Sequence, residues 1–446
     1  MHLYHRPPFR SALTIERRLK LIQLTLALQC IVSCSWLIET ASARPSDTFT
    51  VDGLVVMGLA QNAELKAFEA AVAEAKGQRK QANYFKNPNV AFGAGVREVR
   101  DNQNVIQGTG MTLNTALLQP FQFPGKGTLR KAIANKSIEI AELGLTQFRL
   151  ALGSQIKALG YEYLAASTEA DAAESVFKQS NGLLAQIGTQ SSFGGRKEIE
   201  SRLIQASLVE LGSQIRQYSQ KREEIRTRLN ALLGRPQSLP LNISTPLLPP
   251  KAALSDSKLI LGAQNDNPLL RIRKSELERS VRELSATRLD IAPDFAIGPY
   301  LSVDNAGSLE KNLGGAITAN IPVWDWNIGN IESAKARKSA AEALRVKAER
   351  DVEAQMLALI MTYSLIQRQI AQISPDALPN IRSASTQAKV EYLNATIGAQ
   401  LYLDAQTSFL NTLQKSNQAT VDAWRTLLDL NILTGGHLEK SPAKKS

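Results

Sequence analysis

The sequence predicts a mainly helical fold that carries a few membrane-type strands and is built twice over in one chain. Three observations predict it. First, "LQPFQFPGKGTLRKA" (118–132) and "TANIPVWDWNIGNIESA" (318–334) make the same transition. In each, an alternating stretch runs into a Pro, passes an aromatic and a Gly, and opens a long Ala-rich helical pattern. Second, shared residues recur in one register: Pro120 with Pro322, Gly127 with Gly329 and Tyr161 with Tyr363 at 202 residues, and Asn230 with Asn431 at 201. Third, the stripes that follow each transition run longer than a globular helix does.

The N-terminus reads as an export signal. Arg17, Arg18, Leu19 and Lys20 supply a basic start, 21–33 an apolar run, and Ala41-Ser42-Ala43 a small-x-small cleavage site, so residues 1–43 are assigned to a signal peptide. A second reading stays open: Ile31-Val32-Ser33-Cys34 resembles a lipobox, which makes Cys34 the alternative lipidation site.

Residues 44–235 form the first repeat. A helix is predicted over 52–86. Strands follow at 89–99 and 111–121, about ten residues each, the length a tilted membrane strand needs. A soluble hairpin has the same local pattern. Leu145, Phe148, Leu152, Ile156, Leu159 and Tyr163 then mark one apolar face of a helix predicted over 128–186. "IGTQSSFGG" (187–195) turns the chain. The return helix carries Leu208, Leu211, Ile215, Tyr218, Ile225, Leu229 and Leu232 at heptad-like spacing and stops at Gly234-Arg235-Pro236. Five prolines in 236–250 mark a linker, assigned to 236–252.

The order then recurs over 253–436. "AQNDNPLLR" (263–271) echoes "AQNAELKAF" (60–68), and strands are predicted at 293–303 and 312–323. Met356, Leu359, Tyr363, Ile366, Ile370 and Ile373 stripe a helix that Pro375 and Pro379 interrupt. A turn near 394–399 leads to a last helix carrying Leu410, Leu413, Val421, Trp424 and Leu428. Residues 437–446 are a polar, basic tail.

Two strands per repeat give four per chain, too few for a conducting barrel. Three chains give twelve, a normal even number. The same three chains bring long helices that must bury one stripe against neighbours. The predicted assembly is therefore a homotrimer: a 12-stranded β-barrel in the membrane that continues into an α-helical barrel.

In this order of elements the chain resembles the TolC-like outer-membrane efflux proteins over about residues 50–435. The resemblance rests on the duplicated order and on "VEYLNATIGAQLYLDAQTSFL" (390–410), where Tyr392, Asp404, Ala405 and Gln406 match the family's tyrosine and its D-A-Q-like run. "LQPFQFPGK" further resembles the heavy-metal cation efflux branch. The resemblance implies location in the outer membrane with a periplasmic helical extension. It implies an exit duct docked on a periplasmic adaptor (membrane fusion protein) and an inner-membrane pump of RND type, with outer-membrane lipid around the strands. Heavy-metal cations are the implied cargo, with drugs, small molecules or a type I secreted protein as the alternative. A periplasmic helical scaffold without a pore is the reading from a different class.

The resemblance also implies a closed periplasmic iris. Its candidate pore or latch residues are Asp404, Tyr392, Glu198 and Glu200. Two departures weaken an ionic latch: Leu401 stands where another acid can occur, and Ile397 where a basic partner of Tyr392 can occur. The tip candidates for adaptor docking are Gly188, Gly194, Gly195, Thr396 and Gly398. The strand-to-helix junctions are Pro120, Pro124, Gly125, Pro322 and Gly329.

Composition limits other chemistry. Lys and Arg number 52 against 41 Asp and Glu, a net charge of +11, scattered without a basic stripe, so nucleic-acid binding is not expected. Cysteines stand only at 30 and 34, and histidines at 2, 5 and 437. No tight transition-metal site, cofactor or catalytic triad is expected from them. "PGKGT" (124–128) lacks the spacing of a phosphate loop. No enzymatic activity is expected.

Overall fold

A computed structural model describes residues 48–188, 195–250, 256–372 and 376–438. The predicted signal segment, Cys34 and the end of the basic tail lie outside them.

The first repeat begins with helices α1 (Val51–Gln61) and α2 (Ala63–Gln81). Strands β1 (Asn89–Arg100) and β2 (Ile106–Phe121) follow, then α3 (Lys126–Gly188, 63 residues) and α4 (Gly195–Leu232). The second repeat has α5 (Asp256–Asp266), α6 (Pro268–Leu289), β3 (Phe295–Asn305) and β4 (Leu309–Ala319). It ends with α7 (Ile328–Gln372), α8 (Ala377–Leu393) and α9 (Ala399–Leu433). The duplicated helix–hairpin–long-helix order is the observed fold. In the second repeat α7 and α8 are separate helices where α3 is continuous.

The single helix expected over 52–86 is two helices, and a side chain makes the break. Asn62 is extended (φ −62°, ψ 126°), and its Oδ1 accepts from Leu65 N at 3.0 Å. An Asn held this way starts a new helix and ends the old one. Its Nδ2 donates to Leu232 O at 3.1 Å, tying the break to the end of α4. The second repeat does the same with Asn267: Oδ1 accepts from Leu270 N at 3.1 Å and Nδ2 donates to Leu433 O at 2.9 Å. The two asparagines are 205 residues apart. The "AQN" echo aligned Asn62 with Asn265, two residues short of the one that does the work.

Helix ends repeat as well. Gly234 (φ +67°) and Gly435 (φ +70°) both leave a helix in the left-handed conformation. Arg235 N donates to Asn230 O at 2.9 Å, and Gly436 N to Asn431 O at 2.8 Å. These six-to-one bonds close the last turn of α4 and of α9. A Cβ at Gly435 would stand 2.5 Å from Asp266 O.

Each repeat has its own core. Leu54, Leu65, Leu152, Ile156, Leu229 and Leu233 fill the first. Leu259, Ala263, Val352, Met356, Ala423 and Leu430 fill the second. The cores relate Tyr163 to Tyr363, 200 apart, rather than Tyr161 to Tyr363. Both hydroxyls donate to the linker, Tyr163 to Leu241 O at 2.7 Å and Tyr363 to Pro250 O at 3.5 Å. Tyr161 instead stacks on Trp424, ring centroids 4.3 Å apart.

The linker crosses both repeats as a strap. Prolines offer no N–H, so several of its carbonyls accept from side chains instead. Arg226 Nη1 and Asn230 Nδ2 donate to Leu239 O at 2.6 and 2.9 Å. Trp424 Nε1 donates to Leu248 O at 2.8 Å.

These four strands form one antiparallel sheet in the order β1-β2-β3-β4, and the short segments Thr48–Phe49 and Asn242–Ile243 pair separately. Six of the eight strand bounds differ from expectation, three of them as follows. β2 starts at Ile106 rather than 111, because Gly108, Thr109 and Gly110 pair with Val99, Glu98 and Arg97. β3 begins at Phe295, opposite Phe121, and β4 ends at Ala319, short of 323.

Gly435→Ala is expected to cost about 2 kcal/mol or more, from left-handed strain and the clash with Asp266 O. Gly182→Ala, in a helix interior with open space around it, is expected to add about 0.5–1 kcal/mol. Thermal melts of the helical circular dichroism signal check both: the first midpoint falls and the second rises.

Candidate functional site

Two regions carry the functional candidates: the helical tip, where α3–α4 and α8–α9 turn, and the sheet.

At the tip, α8 ends in a tight turn. Ala395 is left-handed (φ +56°), its N–H bonds Tyr392 O at 3.0 Å, and Thr396 N bonds Glu391 O at 3.0 Å. Gly398 then starts α9 without a side-chain cap. Thr396 is exposed. Gly188 is the last residue of α3 and Gly195 the first of α4. Gly194 lies outside the described residues.

The turn brings Tyr392 and Glu200 together. Tyr392 is buried and stacks on Tyr402 at 5.7 Å. Its hydroxyl lies 3.5 Å from Glu200 Oε2, at the outer limit of a hydrogen bond. A Cβ at Gly398 would lie 3.9 Å from Glu200 Oε1, so the carboxylate of one hairpin sits against the turn of the other. Burial first, then the Glu200 carboxylate, pushes the Tyr392 phenol from 10.0 up to about 12.

The other two acids stand apart. Glu198 pairs with Arg202 one turn along α4 at 2.7 Å. Asp404 is exposed on α9 and accepts from Gln400 Nε2 at 3.0 Å. Leu401 is exposed on the same helix, and Ile397 packs into the tip core with Leu183, Ile204 and Tyr402.

Below the tip, polar rungs join the hairpin of the first repeat to that of the second. Tyr402 is fully buried, with its hydroxyl 2.9 Å from Ser180 Oγ. Asn417 Nδ2 reaches Thr168 Oγ1 at 2.9 Å and Glu169 Oε1 at 3.3 Å. Arg425 bonds Glu162. Glu169 is buried, its Oε2 has no partner among the described residues, and burial raises its pKa. Within the second repeat, Ser385 Oγ donates to Gln406 Oε1 at 2.7 Å, and Gln406 Nε2 returns to Ser385 O at 2.9 Å. Ser180, Tyr402, Ser385 and Asn417 are not among the candidates that the sequence offers. A signal was present: Tyr402, Gln406, Phe409, Leu413, Asn417 and Val421 share one helical face, but a count of apolar residues alone skips its polar members.

The junctions position the sheet on the helices. Gly125 (φ +96°) and Asn327 (φ +58°), 202 apart, are the left-handed residues that start α3 and α7. Gly127 and Gly329, which carried the register in sequence, lie in the first helical turns with open space around them. Pro120 is inside β2, opposite Ala296, and is not itself the junction. Pro124 immediately precedes Gly125, and Pro322 follows β4. In the first repeat Lys126 Nζ binds Ala292 O at 2.7 Å and Asp294 Oδ1 at 2.9 Å. That contact fixes the start of α3 to the entry of β3. Burial alone would raise the Asp294 pKa, but the Lys126 ammonium and Phe123 N–H hold it down. In the second repeat Asn327 Nδ2 donates to Thr287 O at 2.9 Å instead.

The sheet has two unlike faces. On one, Phe92, Thr115, Leu301 and Leu313 lie in a single cross-strand row, and Phe92 and Leu313 are 77% and 81% exposed. On the other stand Thr112, Asn114, Ser302 and Asn312, with Arg97 Nη1 3.0 Å from Asp304 Oδ2 and 3.3 Å from Glu310 Oε2. β1 and β4 each have an unpaired edge among the described residues. No helix among them is long and apolar enough to cross a membrane, and no group of His, Cys, Asp or Glu there is placed to hold a metal ion.

No family model matches the sequence, and no curated protein matches it either. Solved structures do match in fold. The Campylobacter jejuni CmeC outer membrane channel aligns with a TM-score of 0.70 at 16% identity, over 86% of this chain and 85% of that one. CusC, whose structures are described in terms of folding and transmembrane channel formation, aligns at 0.68 and 15%, over 89% and 96%. The Neisseria gonorrhoeae MtrE outer membrane channel, in its open state, aligns at 0.66 and 17%, over 90% and 94%. At such identities the shared property is the fold: a helical body with a small antiparallel sheet, as expected from the sequence.

Glu200→Gln is expected to lower the titration of Tyr392 toward its ordinary value, since it removes the repelling charge. Ultraviolet absorbance of the phenolate, with Tyr392→Phe as the subtraction, reads it. The sign for stability follows. The raised folded pKa keeps the phenol neutral, so its contribution is whole below pH 10 and is lost as pH rises through about 12. Loosening of the tip over that window, absent in Tyr392→Phe, checks it by limited proteolysis.

Proposed function

We propose that the chain is the outer-membrane exit duct of a tripartite efflux system, a homotrimer that passively conducts what an inner-membrane pump delivers through a periplasmic adaptor. One observation carries this reading: a sheet with a bare apolar face, a polar face and two open edges, joined directly to helices tens of ångströms long. An apolar face exposed this fully is unstable in water. In lipid it is favourable, but only if every strand edge is paired. Four strands leave two edges open, and three copies close them into twelve strands with the polar face inward. The shared fold with outer membrane channels supports the same reading. A scaffold without a pore has no use for such a sheet.

At the tip, the residues favour a closure held by packing and a phenol–carboxylate contact. Tyr392 and Glu200 form that contact, and Ile397 and Leu401 offer no charge for an ionic latch. Asp404 is the candidate for an acidic ring in the pore, three carboxylates that would attract cations. Glu198, already paired with Arg202, is a weaker candidate. The turns at Gly188, Gly195, Thr396 and Gly398 are the candidate adaptor contacts. Heavy-metal cations are the narrower reading of the cargo and rest on the resemblance at "LQPFQFPGK". Cation export fits a duct that passes its cargo without ligating it, and the choice of cargo then lies in the pump.

Two experiments test the duct. In planar bilayers the detergent-extracted protein should give small cation-selective openings, and Asp404→Ala should reduce that selectivity. Unchanged openings would remove Asp404 from the pore, and a water-soluble monomer would overturn the duct. Leu313→Arg, on the apolar face, should cost about 2–4 kcal/mol of membrane stability and lower the folded fraction in vesicles. Asn312→Arg, on the polar face one residue away, should fold nearly as well as the native chain. Equal effects would contradict the assignment of the two faces.

A further inference from the structure

One carboxylate in the helical body is left half-satisfied. Glu169 lies on α3 in the seam between the two hairpins and is 4% exposed, with Ala166, Ala170 and Ala173 of the same helix fully buried beside it. Its Oε1 accepts from Asn417 Nδ2 of α9 at 3.3 Å. That amide is oversubscribed. It also reaches Thr168 Oγ1 at 2.9 Å and Ala165 O at 3.4 Å, so two protons serve three acceptors. Oε2 is buried with no partner, and no other carboxylate oxygen among the described residues is stranded in this way. A single chain already covers the group, so a second copy cannot supply what it lacks.

The neighbouring rungs of the seam are matched. Ser180 meets Tyr402 on the tip side, and Glu162 meets Arg425 on the other. The Glu169–Asn417 rung lies between them on both helices. A separation of the hairpins that starts at the tip therefore reaches Glu169 once it has passed Ser180.

The charges that act on the carboxyl come from α4, where Lys221 and Tyr218 face it. Burial, then the Glu169 charge, raise the Tyr218 phenol. From α9 only the Asn417 amide acts on Glu169, and it carries no charge. Burial pushes the Glu169 pKa up from 4.5, against the exposed Lys221 ammonium and the Asn417 amide, which favour the anion and do not prevail.

We propose that Glu169 and Asn417 form a proton-operated clasp between the two hairpins. With a proton taken from water onto the carboxyl, no charge is buried and the seam closes. With that proton returned to water, the seam must hide an anion whose hydrogen bonds are half made, and it loosens until solvent reaches the group. Glu169 is a positioning residue here: it touches no cargo and sets how firmly α9 rests on α3. In the open seam the carboxyl is hydrated and titrates near its ordinary 4.5. The closed seam is therefore whole below that pH, weakens as pH rises from there to the raised value, and stays weak above it. The clasp belongs to the helical body and does not depend on the duct reading. In the duct, it makes acid a closing signal for the tip.

Amide hydrogen exchange of α9, divided by the intrinsic rate at each pH, measures the seam in the detergent-extracted full chain. The native chain, Glu169→Gln and Lys221→Met are compared over about pH 4–9. Protection around Asn417 in the native chain should fall several-fold as pH rises. Glu169→Gln, which is always neutral, should keep its high protection throughout. Lys221→Met, which loses the cation that favours the anion, should move the fall to higher pH. The melting midpoint of Glu169→Gln should match the native one at low pH and exceed it at neutral pH. Native protection that stays level, or a Gln variant that follows the same fall, would overturn the clasp. A Gln variant that melts below the native chain at neutral pH would also overturn it, by showing that the charge holds the seam. Each of these results would leave the duct standing, since none of them reads the pore.

Discussion

Backbone hydrogen bonding at the sheet edges is the constraint on which the rest depends. β1 and β4 each present an open row of donors and acceptors beside a bare apolar face. In water such an edge invites uncontrolled pairing. In lipid it costs several kcal/mol for each unmet group. Neither solvent suits the four strands as they stand, and that is the need which the proposed assembly of copies answers. That need explains why so small a sheet is attached to so much helix. The helices supply the packing surface that a four-stranded sheet cannot supply for itself.

The duplication works because its joints are polar and local. Asn62 and Asn267 each stop one helix, start the next and hold the end of a third. The linker then binds the two cores through carbonyls that proline leaves free. Where the repeats diverge, the divergence has a chemical cause. Lys126 of the first repeat finds Asp294 of the second, while Ile328 at the matching position has no ammonium to offer, and Asn327 takes over the anchoring through its own amide.

The tip follows a different logic. Tyr392, Glu200, Tyr402 and Ser180 meet across two hairpins, through one buried hydroxyl pair and one looser phenol–carboxylate contact. The hydroxyl pair is fully buried, so separating its members without new partners would be costly. The rungs at Asn417 and Arg425 lie further along the same helices and join the two hairpins there. Glu169, buried with one oxygen unmet, is the costliest group in that ladder.

The sequence by itself determined the order of elements, the duplication, the long helices and the alternation of the strands. These rest on period and on turn chemistry, which are local. It also named Tyr392 and Glu200 separately. Only the tertiary structure decided that those two meet while Glu198 and Asp404 stand apart, because helices more than 190 residues apart in the chain set that contact. It decided that Asn327, rather than Gly329, carries the left-handed junction that Gly125 carries in the first repeat, since a positive φ leaves no mark in an apolar period. It decided that Asn267 and not Asn265 matches Asn62, because a cap is recognised by the bonds it makes. And it set the extent of β2 and β4, which end where cross-strand partners end. Local physics can be read along the chain. Contacts between distant segments depend on how the packed helices align, and that is decided only when they fold against one another.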